Sequence, residues 1–234
     1  MKVLKFGGTS VANSKSLLNV IDIVKESNDR KILVVSALGG ITNLLDEMST
    51  QASKGEISYK DKLLILENRH LDLIESFIPV TRQSEIISFL KSQINELEEV
   101  LESLFTLNEL TSKSLAKILS FGETLSSTII YSVLKHKECD IELKDSRQII
   151  FTKTVNDREV VDHNKSEKKT KEFLNENNSK NILIPGFIAQ DENGNTTTLG
   201  RGGSDFTSSL LANYSNADQL EIWTDVSGMF TAHP

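Results

Sequence analysis

The sequence predicts an α/β fold built on a mainly parallel sheet and interrupted by a helical insertion. Three observations carry this. Short apolar runs each end in a loop of small residues and lead into helical periodicity. The run Ile32-Leu33-Val34-Val35 is continuously apolar, as in a strand covered on both faces. A long middle stretch keeps helical spacing with no strand signal.

In chain order, Val3-Leu4-Lys5-Phe6 reads as a strand ending at Gly7-Gly8, and Leu17, Leu18, Ile21 and Val24 then stripe a helix. Ile32 to Val35 forms the second strand, which ends in Ser36-Ala37-Leu38-Gly39-Gly40, and a second helix begins near Ile41. Residues from about 59 to 135 form a helical subregion. Leu63, Leu66, Ile74 and Phe77 mark its first helix, which Pro79 ends. Ile87, Leu90, Ile94, Leu97, Leu101 and Leu104 alternate three- and four-residue steps, a heptad-like seam. That seam suits a helical hairpin packed on the domain, although a partner helix would fit it too. Leu115, Ile118, Leu125, Ile129 and Val133 stripe the next helix.

Strands resume at Ile182-Leu183-Ile184-Pro185 and Leu220-Glu221-Ile222-Trp223, with a glycine- and threonine-rich loop and a helix over 206–212 between them. The polar stretch from Asn175 to Asn181 is expected to be an exposed loop, and no internal repeat is present. Pro234 follows a strand and a loop with no closing helix, so residues 1–234 are expected to be one domain, incomplete at its C-terminus.

Composition narrows the class. The chain has 234 residues, enough to bury a core without metals or disulfides, with 38% hydrophobic and 25% charged residues. A net charge of −7 with dispersed Lys and Arg gives no footprint for nucleic acid. The single cysteine, Cys139, rules out a disulfide framework and points to a reducing cytoplasm. Met1-Lys2 leads straight into Val3-Leu4, so no leader is expected, and no apolar run approaches the roughly 20 residues that span a bilayer.

Four loops follow predicted strands, at the sheet edge where open α/β folds bind ligands. In Lys5-Phe6-Gly7-Gly8-Thr9-Ser10 two glycines admit a phosphate, the next helix offers N–H groups, and Lys5 adds charge. Alone, this loop reads equally well as an ordinary turn. Ser36 to Asn43 repeats the design and reads alternatively as a simple capped turn. The run from Thr196 to Asp205 is harder to explain as a linker. It opens a helix at Ser204 and Asp205, and Arg201 suits a carboxylate. Thr224-Asp225-Val226-Ser227-Gly228 is a weak signal that also suits a turn. Glu123 sits amid an apolar helical stripe, and without further evidence a solvated surface glutamate is the simpler reading.

Together these segments resemble the aspartokinase branch of the amino-acid kinase family. The matches are residues 5–11, Gly40 through Leu45, Gly122-Glu123, Gly186-Phe187, Thr196 through Asp205, and Trp223 through Val226. They fall in the family's order over nearly the whole chain. Kinases acting on glutamate, acetylglutamate, carbamate or UMP share the fold but lack the string from Thr197 to Asp205.

The resemblance implies a three-layer sandwich and the transfer of the ATP γ-phosphoryl group to the β-carboxylate of L-aspartate, the first step toward lysine, threonine and methionine. Its cofactor is ATP, with Mg²⁺ held mainly through the phosphates. Lys5 would touch the transferring phosphoryl group, and Asp205 would orient Lys5. Gly7, Gly8 and Ser36 would cradle phosphates. Thr42, Glu123, Phe187, Arg201, Gly202 and Ser204 would hold aspartate. Thr224, Asp225 and Phe230 would line the nucleoside pocket. Phe230 stands where relatives commonly carry Tyr. The family's regulatory domains, through which the parent enzyme would assemble as a homo-oligomer, and a homoserine dehydrogenase found fused in some relatives would lie beyond this chain. A non-catalytic amino-acid-binding or assembly module is the alternative. A dinucleotide oxidoreductase lacks support, because no Gly-x-Gly-x-x-Gly follows the first strand.

Overall fold

The computed structural model describes residues 1–27, 29–156, 158–177 and 181–224. Its strands are β1 (Lys2–Phe6), β2 (Lys31–Val35), β3 (Ile141–Leu143), β4 (Thr152–Val155), β5 (Arg158–Val161), β6 (Asn181–Pro185), β7 (Ile188–Gln190), β8 (Thr196–Thr198) and β9 (Gln219–Trp223). Its helices are α1 (Ser14–Glu26), α2 (Ile41–Ser53), α3 (Tyr59–Phe77), α4 (Ser84–Leu107), α5 (Ser112–His136), α6 (His163–Glu176) and α7 (Gly203–Tyr214).

The central sheet is five-stranded and parallel, in the order β3-β6-β2-β1-β9. Its side chains alternate between two cores, as a strand period of two requires. Leu4, Phe6, Leu33, Val35 and Leu183 face the helical layer of α1 to α5, while Val3, Ile32, Val34, Ile182 and Ile184 face Leu174, Leu210, Leu211 and Tyr214 of α6 and α7. The result is the three-layer sandwich.

The helical subregion spans α3 to α5, and no strand lies within it. Extended Ile78, which precedes Pro79, stops α3 because the proline ring disfavours a helical predecessor. Left-handed Asn108 caps α4, and a reciprocal Thr111–Ser114 capping box starts α5. The α4 seam is core against its neighbouring helices, not a partner surface. It begins at Ile86, and Ile87 is half-buried. In α1 the inward residue is Val20, whereas Leu18 is 50% exposed.

Several elements depart from expectation. β3, the antiparallel hairpins β4–β5 and β7–β8, and α6 all lie where no regular element was expected. Helix α6 takes in Asn175 and Glu176, and residues 178–180 lie outside the described residues. Helix α7 is longer than residues 206–212 and starts at Gly203. Cys139 is buried, and burial raises its pKa, which disfavours the reactive thiolate. Among the described residues no helix is long and apolar enough to cross a membrane.

Candidate active site

Strand register brings four loops together. Phe6 stands level with Val35 and with Trp223, and Val35 with Pro185. The segments that begin at Gly7, Ser36, Gly186 and Thr224 therefore leave the same edge of the sheet side by side. Two of them touch through glycine backbones. Gly39 N donates to Gly8 O at 2.9 Å, and a Cβ on Gly8 would lie 3.0 Å from Ala37 O. Only residues without a side chain allow that approach. Gly7 N donates to Trp223 O at 3.2 Å, which ties the first loop to β9.

Lys5 is 8% exposed, yet its Nζ lies 2.7 Å from Asp205 Oδ1. A Cβ on Gly7 would lie 3.4 Å from the same Nζ, so the ammonium runs along the glycine turn. Asp205 occupies the first turn of α7, where the positive end of the helix favours its carboxylate. Its side chain stays half exposed and open to solvent beside Lys5.

The run before α7 turns on left-handed Gly200 and Gly202, both at φ 73°. Gly186 packs so tightly on Ser204 that a Cβ would come within 2.7 Å of Ser204 Cβ. Phe187 holds φ 68°, a conformation that strains a bulky residue. Its N–H donates to Thr207 Oγ1 at 3.0 Å, and its carbonyl accepts from Leu199 N at 2.8 Å. Thr207, unnoticed in the sequence, is the residue that fixes Phe187. Ser204 is buried, Arg201 is exposed, and Arg201 makes no ion pair among the described residues. Thr42 is half-buried in the first turn of α2, whose N-cap Gly40 supplies no side-chain cap.

Glu123 corrects the simpler reading of a solvated residue, being 3% exposed. Its Oε1 accepts from Ala37 N at 3.2 Å, and its buried Oε2 has no partner. Burial pushes its pKa up to about 8, only partly offset by backbone N–H groups. Gly122 makes this approach possible, since a Cβ there would lie 2.9 Å from Ala37 Cβ. Ser126, one turn further along α5, donates to Ser36 O at 2.7 Å. The sequence offered a signal for both contacts: Ser120, Gly122, Ser126 and Ser127 are small residues within an apolar helix.

Thr224 is exposed at the end of β9, next to a 400 Å³ cavity that Thr9, Ser10, Asn19 and Trp223 help to line. Asp225 and Phe230 lie outside the described residues. A 540 Å³ cavity between α4 and α5, lined by Arg82, Phe89, Tyr131 and Lys135, contains none of the expected site residues.

Paired glycine loops, a buried lysine on an aspartate and a buried carboxyl meet at the sheet edge where open α/β folds place their ligand sites. The chain belongs to the amino acid kinase family, whose model matches residues 1–234. It is 33% identical to the bifunctional aspartokinase/homoserine dehydrogenase of Buchnera aphidicola, covering 100% of this chain and 29% of that one. It is likewise 33% identical to the lysine-sensitive aspartokinase 3 of Escherichia coli, covering 99% of this chain and 50% of that one. The solved structure of E. coli aspartokinase III with aspartate and ADP superposes with a TM-score of 0.87 at 29% identity, over 99% of this chain and 50% of that one. The aspartate kinase of Clostridium acetobutylicum gives 0.78 at 28% identity, over 100% of this chain and 50% of that one. The chain thus spans half or less of these relatives' lengths.

Proposed function

We propose that the chain carries the catalytic core of an aspartate kinase. The observation that carries this reading is the Lys5–Asp205 pair, 2.7 Å apart between the first glycine loop and the N-terminus of α7. Aspartokinase relatives, one of them solved with aspartate and ADP, support it.

The chemistry needs little from the protein beyond placement and charge. The β-carboxylate of aspartate, with an ordinary pKa near 3.9, is already ionised at neutral pH, so no general base is required. One of its oxygens attacks the γ-phosphorus in line, the bond to the β,γ-bridging oxygen breaks, and ADP leaves with the electron pair. Lys5 faces the transferring group and offsets the charge that develops on it. Asp205 holds the ammonium of Lys5 in place. Gly7, Gly8 and Ser36 cradle phosphates, and Thr224, Asp225 and Phe230 take the nucleoside. Mg²⁺ would be held mainly by the phosphate oxygens of ATP and would supply further positive charge there. Arg201 takes one substrate carboxylate, Glu123 receives the ammonium, and Thr42, Phe187, Gly202 and Ser204 complete the amino-acid subsite. The same reading puts the enzyme in the cytoplasm, at the entry to lysine, threonine and methionine synthesis, as a homo-oligomer through domains beyond this chain.

The test is ATP-dependent formation of aspartyl phosphate, trapped as its hydroxamate. Lys5→Ala is expected to lower turnover by at least about 100-fold, as loss of one transition-state donor does. Turnover near wild type in that variant would refute the role of Lys5. Aspartate binding without turnover in the unaltered chain would favour a non-catalytic amino-acid-binding module.

A further inference from the structure

Glu123 poses a problem that its assignment as an ammonium acceptor leaves open. One carboxyl oxygen is satisfied by Ala37 N–H at 3.2 Å, and the other is buried with no partner. A carboxylate so placed, with only backbone N–H groups to answer it and no cation, carries a large desolvation cost. The elements packed around α5 do not relieve it. Loop 36–40 brings only the Ala37 backbone, while α2 presents Ile41 and Leu45 beside Gly122. Lys5 of β1 is committed to Asp205 of α7. Arg69 of α3 reaches toward Gly40, and His70 of α3 bonds Leu66 O. β6 ends in Pro185, and β8 carries three threonines. Among the described residues burial is the main cause that raises the Glu123 pKa, and only backbone N–H groups oppose it.

Resting on the aspartate kinase reading, we infer that Glu123 is a carboxylic acid in the empty site and exchanges its proton for the ammonium group of the incoming amino acid. The step balances. The Glu123 O–H bond breaks, the proton passes to solvent buffer, and the carboxylate forms an ion pair with R–NH₃⁺ through the oxygen that lacked a partner. The other oxygen keeps Ala37 N–H, in the loop that leads from Ser36 to Gly39. The pKa of about 8 agrees with this geometry and places the exchange in the neutral range. Binding of the amino acid thereby becomes coupled to pH, and substrates without a cationic nitrogen have nothing to displace the proton.

Calorimetric titration of the chain with L-aspartate near pH 7, in buffers of low and high ionisation enthalpy, reads the proton directly. The apparent enthalpy is expected to change with buffer by close to one proton released per aspartate bound. Kd is expected to fall about tenfold per pH unit from about pH 6 towards 8. Glu123→Gln, which keeps the shape but holds no exchangeable charge, should bind aspartate more weakly, with no buffer dependence and no pH slope. The wild-type buffer series needs no variant, so a poorly folded Glu123→Gln leaves the test intact. Aspartate binding with buffer-independent enthalpy in the wild type would overturn the proton exchange alone. Failure of aspartate to bind at all would overturn the site reading on which the exchange rests.

Discussion

His70 makes the fold sensitive to acid in a way the structure lets us size. It lies at 0% exposure within the helical layer, with Nδ1 on Leu66 O at 2.7 Å and Nε2 without a partner. Desolvation lowers its pKa from 6.5 to about 4; the hydrogen bond to the Leu66 carbonyl opposes this in part, and the neighbouring Arg69 charge adds a smaller lowering effect. The unfolded chain therefore binds a proton that the folded chain refuses. Stability from this residue is full above the unfolded value, declines as pH falls below 6.5, and is wholly lost below about 4. Between pH 7 and pH 5 the loss is about 2 kcal/mol, with a limit of about 3 kcal/mol at lower pH. Urea unfolding of wild type and His70→Leu at those two pH values measures it. The variant keeps an apolar side chain in the core, and its pH 7 to 5 decline should be smaller than that of wild type by about 2 kcal/mol. Parallel declines in the two proteins would refute the argument.

Two further outcomes follow from close contacts. Gly122→Ala would place a methyl 2.9 Å from Ala37 Cβ and 3.2 Å from Leu45 Cδ1, so it should cost about 1–3 kcal/mol, read as a lower Tm by scanning calorimetry. Thr207→Val preserves shape but leaves Phe187 N–H unpaired. It should cost about 1–3 kcal/mol in urea unfolding and raise the aspartate KM more than it changes kcat, since Phe187 leaves its strained conformation.

The central strands were legible because a strand buried on both faces leaves an unbroken apolar run. β3, only three residues long, leaves no such mark. The hairpin strand β8 was hidden inside a stretch rich in glycine and threonine, although three consecutive β-branched threonines favour extended backbone. Small register errors at Leu18 and Ile87 arise because adjacent apolar residues compete for one stripe, and only packing decides between them. The candidate site was visible as loops but not as contacts. The meeting of Lys5 and Asp205 depends on β1 lying beside β9, which no local spacing reveals. Glu123 escaped because α5 is buried on several sides around it, so amphipathic spacing loses its meaning there.

β1 lies between β2 and β9, so the second strand made is paired early and the ninth late. During synthesis β1 waits as an edge strand while α2 to α7 emerge, although both its faces are apolar enough to be core. Until β9 arrives it is an adhesive edge, open to pairing with another nascent chain. Lys5 meanwhile lacks Asp205, Gly7 N–H lacks the Trp223 carbonyl, and Met1 lacks Asp218. The candidate site thus cannot form before α7 and β9 have been made, and chains stalled ahead of them carry glycine loops that hold no counter-charge for their lysine.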